Sequence, residues 1–172
     1  IAGKPSAIVV TSDSSERPDT CSTISRRPAL ESRDFVEKKL LECKTRSPRI
    51  SLLDDEKTRE NISSMAKVAG AIPNYARLLA RFPTAGSSRV DGILSAFEKG
   101  ELSPLVKWQL ACILARQDRS WYVLGLAKMQ LHSLGQTDDQ IFALDGDCSE
   151  YSPEEQALFK LAKKLGNAPV IL

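Results

Sequence analysis

One histidine, His132, serves this whole 172-residue chain. A histidine-built metal site is thereby excluded. The cysteines are few and scattered: Cys21, Cys43, Cys112 and Cys148, none within three residues of another. No C-x-x-C pair exists, so neither a zinc cluster nor a dithiol motif can be read. No apolar run approaches the roughly 20 residues that a membrane-spanning helix needs. Charge of one sign is also lacking: the formal net charge is +2, with acids and bases intermixed, which gives no electrostatic footprint for nucleic acid or a lipid surface. No segment alternates with period two, so no strand is expected. The resulting expectations are no metal, no cofactor, no nucleic-acid partner and no membrane span.

What is present suits one domain and a tail. Hydrophobic residues make up 42% and charged residues 27%, an ordinary globular balance, and the length allows a buried core. A domain of this size does not need disulfide staples, so reduced thiols are expected. That favours a cytoplasmic setting without fixing it, because the chain opens on Ile1 rather than Met and a leader upstream would be invisible. Residues 1–31 are rich in Ser, Thr, Pro, Arg and Asp and read as a flexible or extended N-terminal arm. Residues 32–172 read as a helical domain.

Helical spacing dominates that domain. Phe35, Val36, Leu40 and Leu41 mark a short amphipathic helix over residues 32–43. Asp54-Asp55-Glu56 places negative charge in a first turn, where it suits the helix dipole, and that helix should run to about Val68. Pro73 opens the next, with Tyr75, Leu78, Leu79 and Phe82 inward, and Pro83 closes it. A further helix is expected over 87–99, with Val90, Ile93, Leu94 and Phe97 inward and Gly100 as its stop. Ser103-Pro104 combines a capping hydroxyl with proline at the first helical position. The helix it starts carries Leu105, Trp108, Cys112 and Ala115 on one face and Val106, Leu110 and Ile113 on others, which marks it as central. Trp121, Leu124, Leu131 and Leu134 define another, capped by Gly135. Thr137 with Gln140, and Ser152 with Glu155, have capping-box spacing; they start helices at 138–144 and 153–165, the second ended by Gly166. The expected fold class is all-α.

The order of Leu102-Ser103-Pro104, Gly135, Thr137-Asp138-Asp139 and Ser152-Pro153-Glu154-Glu155 resembles the core of the alkylhydroperoxidase D-like (AhpD-like) or carboxymuconolactone decarboxylase superfamily. The match covers about residues 60–170. It implies an AhpD-like helical bundle that assembles as a homo-oligomer, trimer or hexamer, and that is C-terminally incomplete: the chain stops at residues 169–172 where the family continues with further helices. Either the chain is a fragment, or its core is finished by another chain or by the N-terminal segment. Active members open a helix with Cys-x-x-Cys-x-x-x-His. The dipole favours a thiolate there, the second thiol resolves the intermediate as a disulfide, and the histidine with a glutamate on the neighbouring helix relays the proton. Counted back from Gly135, those positions hold Ser120, Val123 and Ala127, and the glutamate position holds Trp108. Ser120 cannot become a sulfenic acid and Val123 cannot resolve one. The decarboxylase branch relies on the same missing histidine.

A candidate pocket mouth remains at Asp118, Arg119, Ser120, Trp121 and Tyr122. Ser120 is either a nucleophile or a helix cap, and capping is favoured because no histidine base lies nearby in sequence. Asp118 and Arg119 are either binders of an acidic ligand or a surface ion pair. Trp108, Trp121 and Tyr122 are either a ligand platform or core, with core favoured. Gly125 suggests a close helix–helix approach, within the fold or across subunits. Cys112 reads as a small buried hydrophobe. Cys148 reads as part of a solvated loop with Asp145, Asp147 and Glu150, acids that would raise a thiol pKa and that lack the calcium-loop pattern. His132 is expected exposed near its helix end. Three functions follow: a redox-inactive assembly or small-molecule-binding subunit, an enzyme such as a lyase or hydrolase using Asp118, Arg119, Ser120 and Tyr122, or a peroxidase using Cys112 or Cys148 in a non-standard site. The sequence leaves open whether any catalysis is retained.

Overall fold

A computed structural model describes residues 29–68 and 71–167. Residues 1–28 of the expected arm and the chain end at 169–172 lie outside these residues. Among the described residues there are eight α-helices and no strand, as the helical spacing predicts. They are α1 (Arg33–Thr45), α2 (Asp55–Asn61), α3 (Asn74–Leu79), α4 (Pro83–Glu98), α5 (Pro104–Gln117), α6 (Trp121–Ser133), α7 (Asp138–Ala143) and α8 (Pro153–Asn167).

The caps explain most boundaries. Ser32, Asp54, Ser103 and Thr137 are extended and accept from the backbone N–H three residues on, which satisfies donors that a helix start otherwise leaves open. Both capping boxes are closed: Gln140 Oε1 accepts from the Thr137 N–H at 2.9 Å, and Glu155 Oε2 from the Ser152 N–H at 3.1 Å. Gly100 and Gly135 follow their helices at φ +96° and +86°, a conformation that costs glycine little.

Three boundaries differ from the sequence reading. The helix expected over 54–68 breaks at Ile62, which is extended and fully buried, and resumes as a 3-10 turn at Ser63–Lys67. Burying Ile62 wins over helix continuity, and Asn61, Ser63 and Ser64 resist the break poorly. The carbonyls so released are taken by Arg59 Nη1, which donates to Met65 O at 2.7 Å and Val68 O at 2.8 Å. Pro83 opens α4 rather than closing α3, since a proline at the first helical position loses no hydrogen bond; Phe82 is consequently exposed. Gly166 lies inside α8 and does not end it: a Cβ there would sit 2.9 Å from Gln117 Cβ, so α8 crosses α5 at a point only glycine allows. Gly125 shows the reverse, because a Cβ there would meet only Leu40 Cδ2 at 3.6 Å, an ordinary contact.

Two apolar clusters result. The larger joins α1, α5, α6, α7 and α8 around Val36, Cys112, Ile113, Leu124, Leu131 and Phe159. The smaller joins α2, the 3-10 turn, α3 and α4 around Ile62, Met65, Ala76 and Val90. Helix α5 is central, packed against α4, α6 and α8. Phe97 of α4 stacks on Trp108 of α5 with ring centroids 4.0 Å apart, and Tyr122 of α6 accepts from the Tyr75 N–H at 3.3 Å. Helix α1 buries only Val36 fully; Phe35 and Leu41, expected inward, are exposed.

The glycine that matters most was not singled out by sequence. A Cβ on Gly86 would lie 2.1 Å from the carbonyl oxygen of Leu79. Gly86→Ala should therefore destabilise the protein by about 1–3 kcal/mol, the usual range for overpacking, whereas Gly125→Ala should be neutral or stabilise it by up to about 1 kcal/mol. Urea unfolding of both variants measures this, and equal midpoints would sink the packing argument.

Candidate functional site

The positions that match the redox motif lie on two packed helices. Trp108 of α5 is half-buried against Phe97. Ala127 of α6 is fully buried, and Val123 points outward at 39% exposure. Ser120 precedes α6, but its hydroxyl accepts no capping hydrogen bond. The capping role expected for it is thus not made, and the backbone gives the reason. The four hydroxyl or carboxylate caps above have ψ of 153–167°, whereas Ser120 has ψ 78°. The chain turns sharply into α6 through Arg119, at φ 52°, and the Ser120 N–H returns to Ala115 O at 2.9 Å.

Among the remaining pocket candidates, Arg119, Trp121 and Tyr122 turn to different neighbours. Asp118 ends α5 and is exposed. Arg119 turns to Glu31. Trp121 meets Phe35 edge-on, ring centroids 6.1 Å apart, and Tyr122, 45% exposed, reaches Tyr75. The aromatic trio therefore divides among three different neighbours and forms no common platform. A cavity of about 10 Å3, room for one water, lies between α1, α5, α6 and α7, lined by Cys112, Arg116, Lys128 and Asp145 among others. No residue from 118 to 122 lines it.

Beside this cavity stands the strongest polar constellation, built on a residue the sequence reading passed over. Arg116, only 3% exposed, donates through Nε to Asp145 Oδ2 at 2.9 Å and through Nη2 to the Glu31 carbonyl at 2.8 Å. Its Nη2 also pairs with Asp145 Oδ2 at 2.8 Å, and Nη1 lies 3.5 Å from Glu31 Oε2. Arg119 donates to the other oxygen of Glu31. Glu31, placed by sequence in a flexible arm, is thus docked against α5. Burial works to raise the Glu31 pKa, but hydrogen bonding from Arg119 and the charges of Arg119 and Arg116 outweigh it and hold the carboxyl below its ordinary 4.5. The sequence carried a signal for Arg116: it follows Trp108 and Cys112 at four-residue intervals on the inward face of α5.

The loop expected to be solvated is partly folded inward. Asp145 is committed to Arg116, and Asp147 Oδ1 accepts from the Ser149 N–H at 3.1 Å. Cys148 is 4% exposed at φ 61°, so the reading of an open acidic loop is corrected there. No group of three or more His, Cys, Asp or Glu side chains poised for a metal occurs among the described residues. His132, 44% exposed as a side chain, bonds Gln136 O through Nδ1 at 2.8 Å and faces Asp138 Oδ1 through Nε2 at 3.2 Å. It clasps the turn between α6 and α7, with Lys128 Nζ on the same Asp138 oxygen at 2.7 Å.

Removing one partner of a buried ion pair strands the other, at about 3–5 kcal/mol. Arg116→Met should lose that much stability at pH 7. Because the folded pKa of Glu31 is depressed, its contribution is present above the unfolded value near 4.5 and disappears as pH falls through the lower folded value. Glu31→Gln should therefore be less stable than wild type at pH 7 and converge on it in acid. Urea midpoints followed from pH 7 to pH 2 check both; a constant gap down to the lowest pH would rule out the proposed pairing.

No family model, no curated protein and no solved structure matches this chain.

Proposed function

We propose that this chain is a redox-inactive AhpD-like subunit, which works by assembling with copies of itself or by holding a small molecule rather than by turning over peroxide. The observation that carries this reading is the state of the motif positions and of Cys112. Ser120, Val123 and Ala127 supply neither a nucleophilic thiol, nor a resolving thiol, nor a base. Cys112, on the helix that faces them, is pushed up to about 12, chiefly by burial and then by the nearby Asp145. Such a thiol stays protonated at neutral pH, and the thiolate is the reactive form.

Between its two functional branches, the reading leans to assembly. The cavity beside Cys112 admits one water and the cleft beside Cys148 holds about 210 Å3, both below the roughly 300–1,000 Å3 of pockets for drug-sized ligands. Tyr122, Val123 and Met129 leave α6 with exposed apolar surface, and a second copy is the partner that the family resemblance implies. Residues 118–122 have no convergent geometry for a lyase or hydrolase, so that alternative has no observation in its favour.

The test is peroxide consumption with a dithiol reductant by the purified protein, beside Cys112→Ser and Cys148→Ser, with light scattering on the same samples. No turnover above buffer and a mass above that of one chain are expected. Turnover that vanishes in either variant would replace this reading with a relocated thiol peroxidase. A strictly monomeric mass at micromolar concentration would remove the assembly branch.

A further inference from the structure

The loop after α7 and the outer part of α8 bring a thiol and an amine together. Lys163 Nζ stands 3.3 Å from Cys148 Sγ. Neither group is loose. Cys148 is buried, in the left-handed backbone region, and its sulfur donates to Leu144 O at 3.7 Å. Lys163 is half-buried and its ammonium also donates to Gly146 O. Beside the pair opens a cleft of about 210 Å3, lined by Ala143, Gly146, Asp147, Cys148, Ser149 and Tyr151 among others. Cys148 itself lines this cleft.

We propose that Cys148 and Lys163 form an oxidative modification site, at which a hydroperoxide drives a reversible sulfur–nitrogen link between them. In the first step the sulfur attacks the hydroperoxide. The O–O bond breaks, an S–O bond forms, and Cys148 becomes a sulfenic acid while the peroxide leaves as alcohol or water. In the second step Lys163 gives one proton to solvent, and its nitrogen lone pair attacks the sulfur. The S–O bond breaks, and the hydroxide leaves with a second nitrogen proton as water. Sulfur is oxidised by two electrons, one hydroperoxide is reduced, and the product is a sulfenamide. Sulfenic acids condense with thiols or with nitrogen, and here the adjacent nucleophile is an amine. The separation falls within the roughly 3–3.5 Å of a near-attack arrangement.

The link ties the α7–α8 loop to α8. It consumes one equivalent of oxidant and is not a turnover, so it stands independently of the function proposed above.

Trypsin cleaves after Lys160, between the two residues, and a link at Lys163 blocks cleavage there, so the joined product is peptide 129–160 tied to peptide 161–164, whereas unlinked protein gives 129–160 and 161–163 separately. Wild-type protein and Lys163→Arg would be treated with hydrogen peroxide, digested and analysed by mass spectrometry, with a 1,3-dione present in parallel samples to trap sulfenic acid. Exposed Cys43 reports that the dose sufficed. The expected major product at Cys148 in wild type is the joined peptide pair, lighter than the sum of its parts by two hydrogens and released by dithiothreitol. In Lys163→Arg the pair is missing and the dione adduct rises several-fold. Cys148 ending in wild type as a sulfinate, as an unlinked sulfenic acid, as a disulfide, or unmodified while Cys43 is oxidised would each overturn the proposal, whatever the variant does.

Discussion

A single guanidinium organises the larger half of this structure. Arg116 sits where an aliphatic side chain would be expected, on the inward face of the central helix, and its burial is tolerable only because every approach to it is answered. Asp145 takes two of its nitrogens from the α7–α8 loop, and Glu31 takes the rest through its carbonyl and carboxylate. A buried charge without such partners would cost several kcal/mol. The segment entering α1 and the segment leaving α7 are therefore held at fixed places on α5. Arg33, two residues after Glu31, extends the tie by pairing with Asp139 at 2.6 Å and lying 4.8 Å from the Phe142 ring centroid.

Much of the fold was legible because helix punctuation is local chemistry. A capping hydroxyl, a proline at the first position and a glycine after the last turn act on backbone groups a few residues away, so Ser103-Pro104, Thr137 with Gln140 and Gly135 could be read without knowing what packs where. The failures were decided over longer distances. Ile62 leaves the helix because the second core accepts it. Gly166 stays helical because Gln117 presses against it. Gly86 is required by a carbonyl seven residues earlier across the α3–α4 corner. Pro83 was ambiguous by nature, since proline marks both the end of one helix and the beginning of the next.

The candidate site was less legible, for a related reason. Reading outward from the redox motif drew attention to residues 118–122, which the turn through Arg119 disperses to separate neighbours. The polar groups that do converge come from positions distant in sequence: Glu31 with Arg116 and Asp145, and Cys148 with Lys163. Arg116 alone left a trace, in its four-residue rhythm with Trp108 and Cys112. Lys163 left none, because a lysine on an amphipathic helix is ordinary, and the acids around Cys148 suggested solvent rather than burial.

The two apolar clusters share few links, chiefly the Phe97–Trp108 stack and the Tyr75–Tyr122 hydrogen bond. The smaller cluster rests on short helices and a 3-10 turn, elements that hold little structure by themselves. Stability in such a molecule is not one quantity. Short elements of this kind are the first expected to open, ahead of the packed pair α5 and α6, and the Phe97–Trp108 stack is the seam along which the two clusters would part.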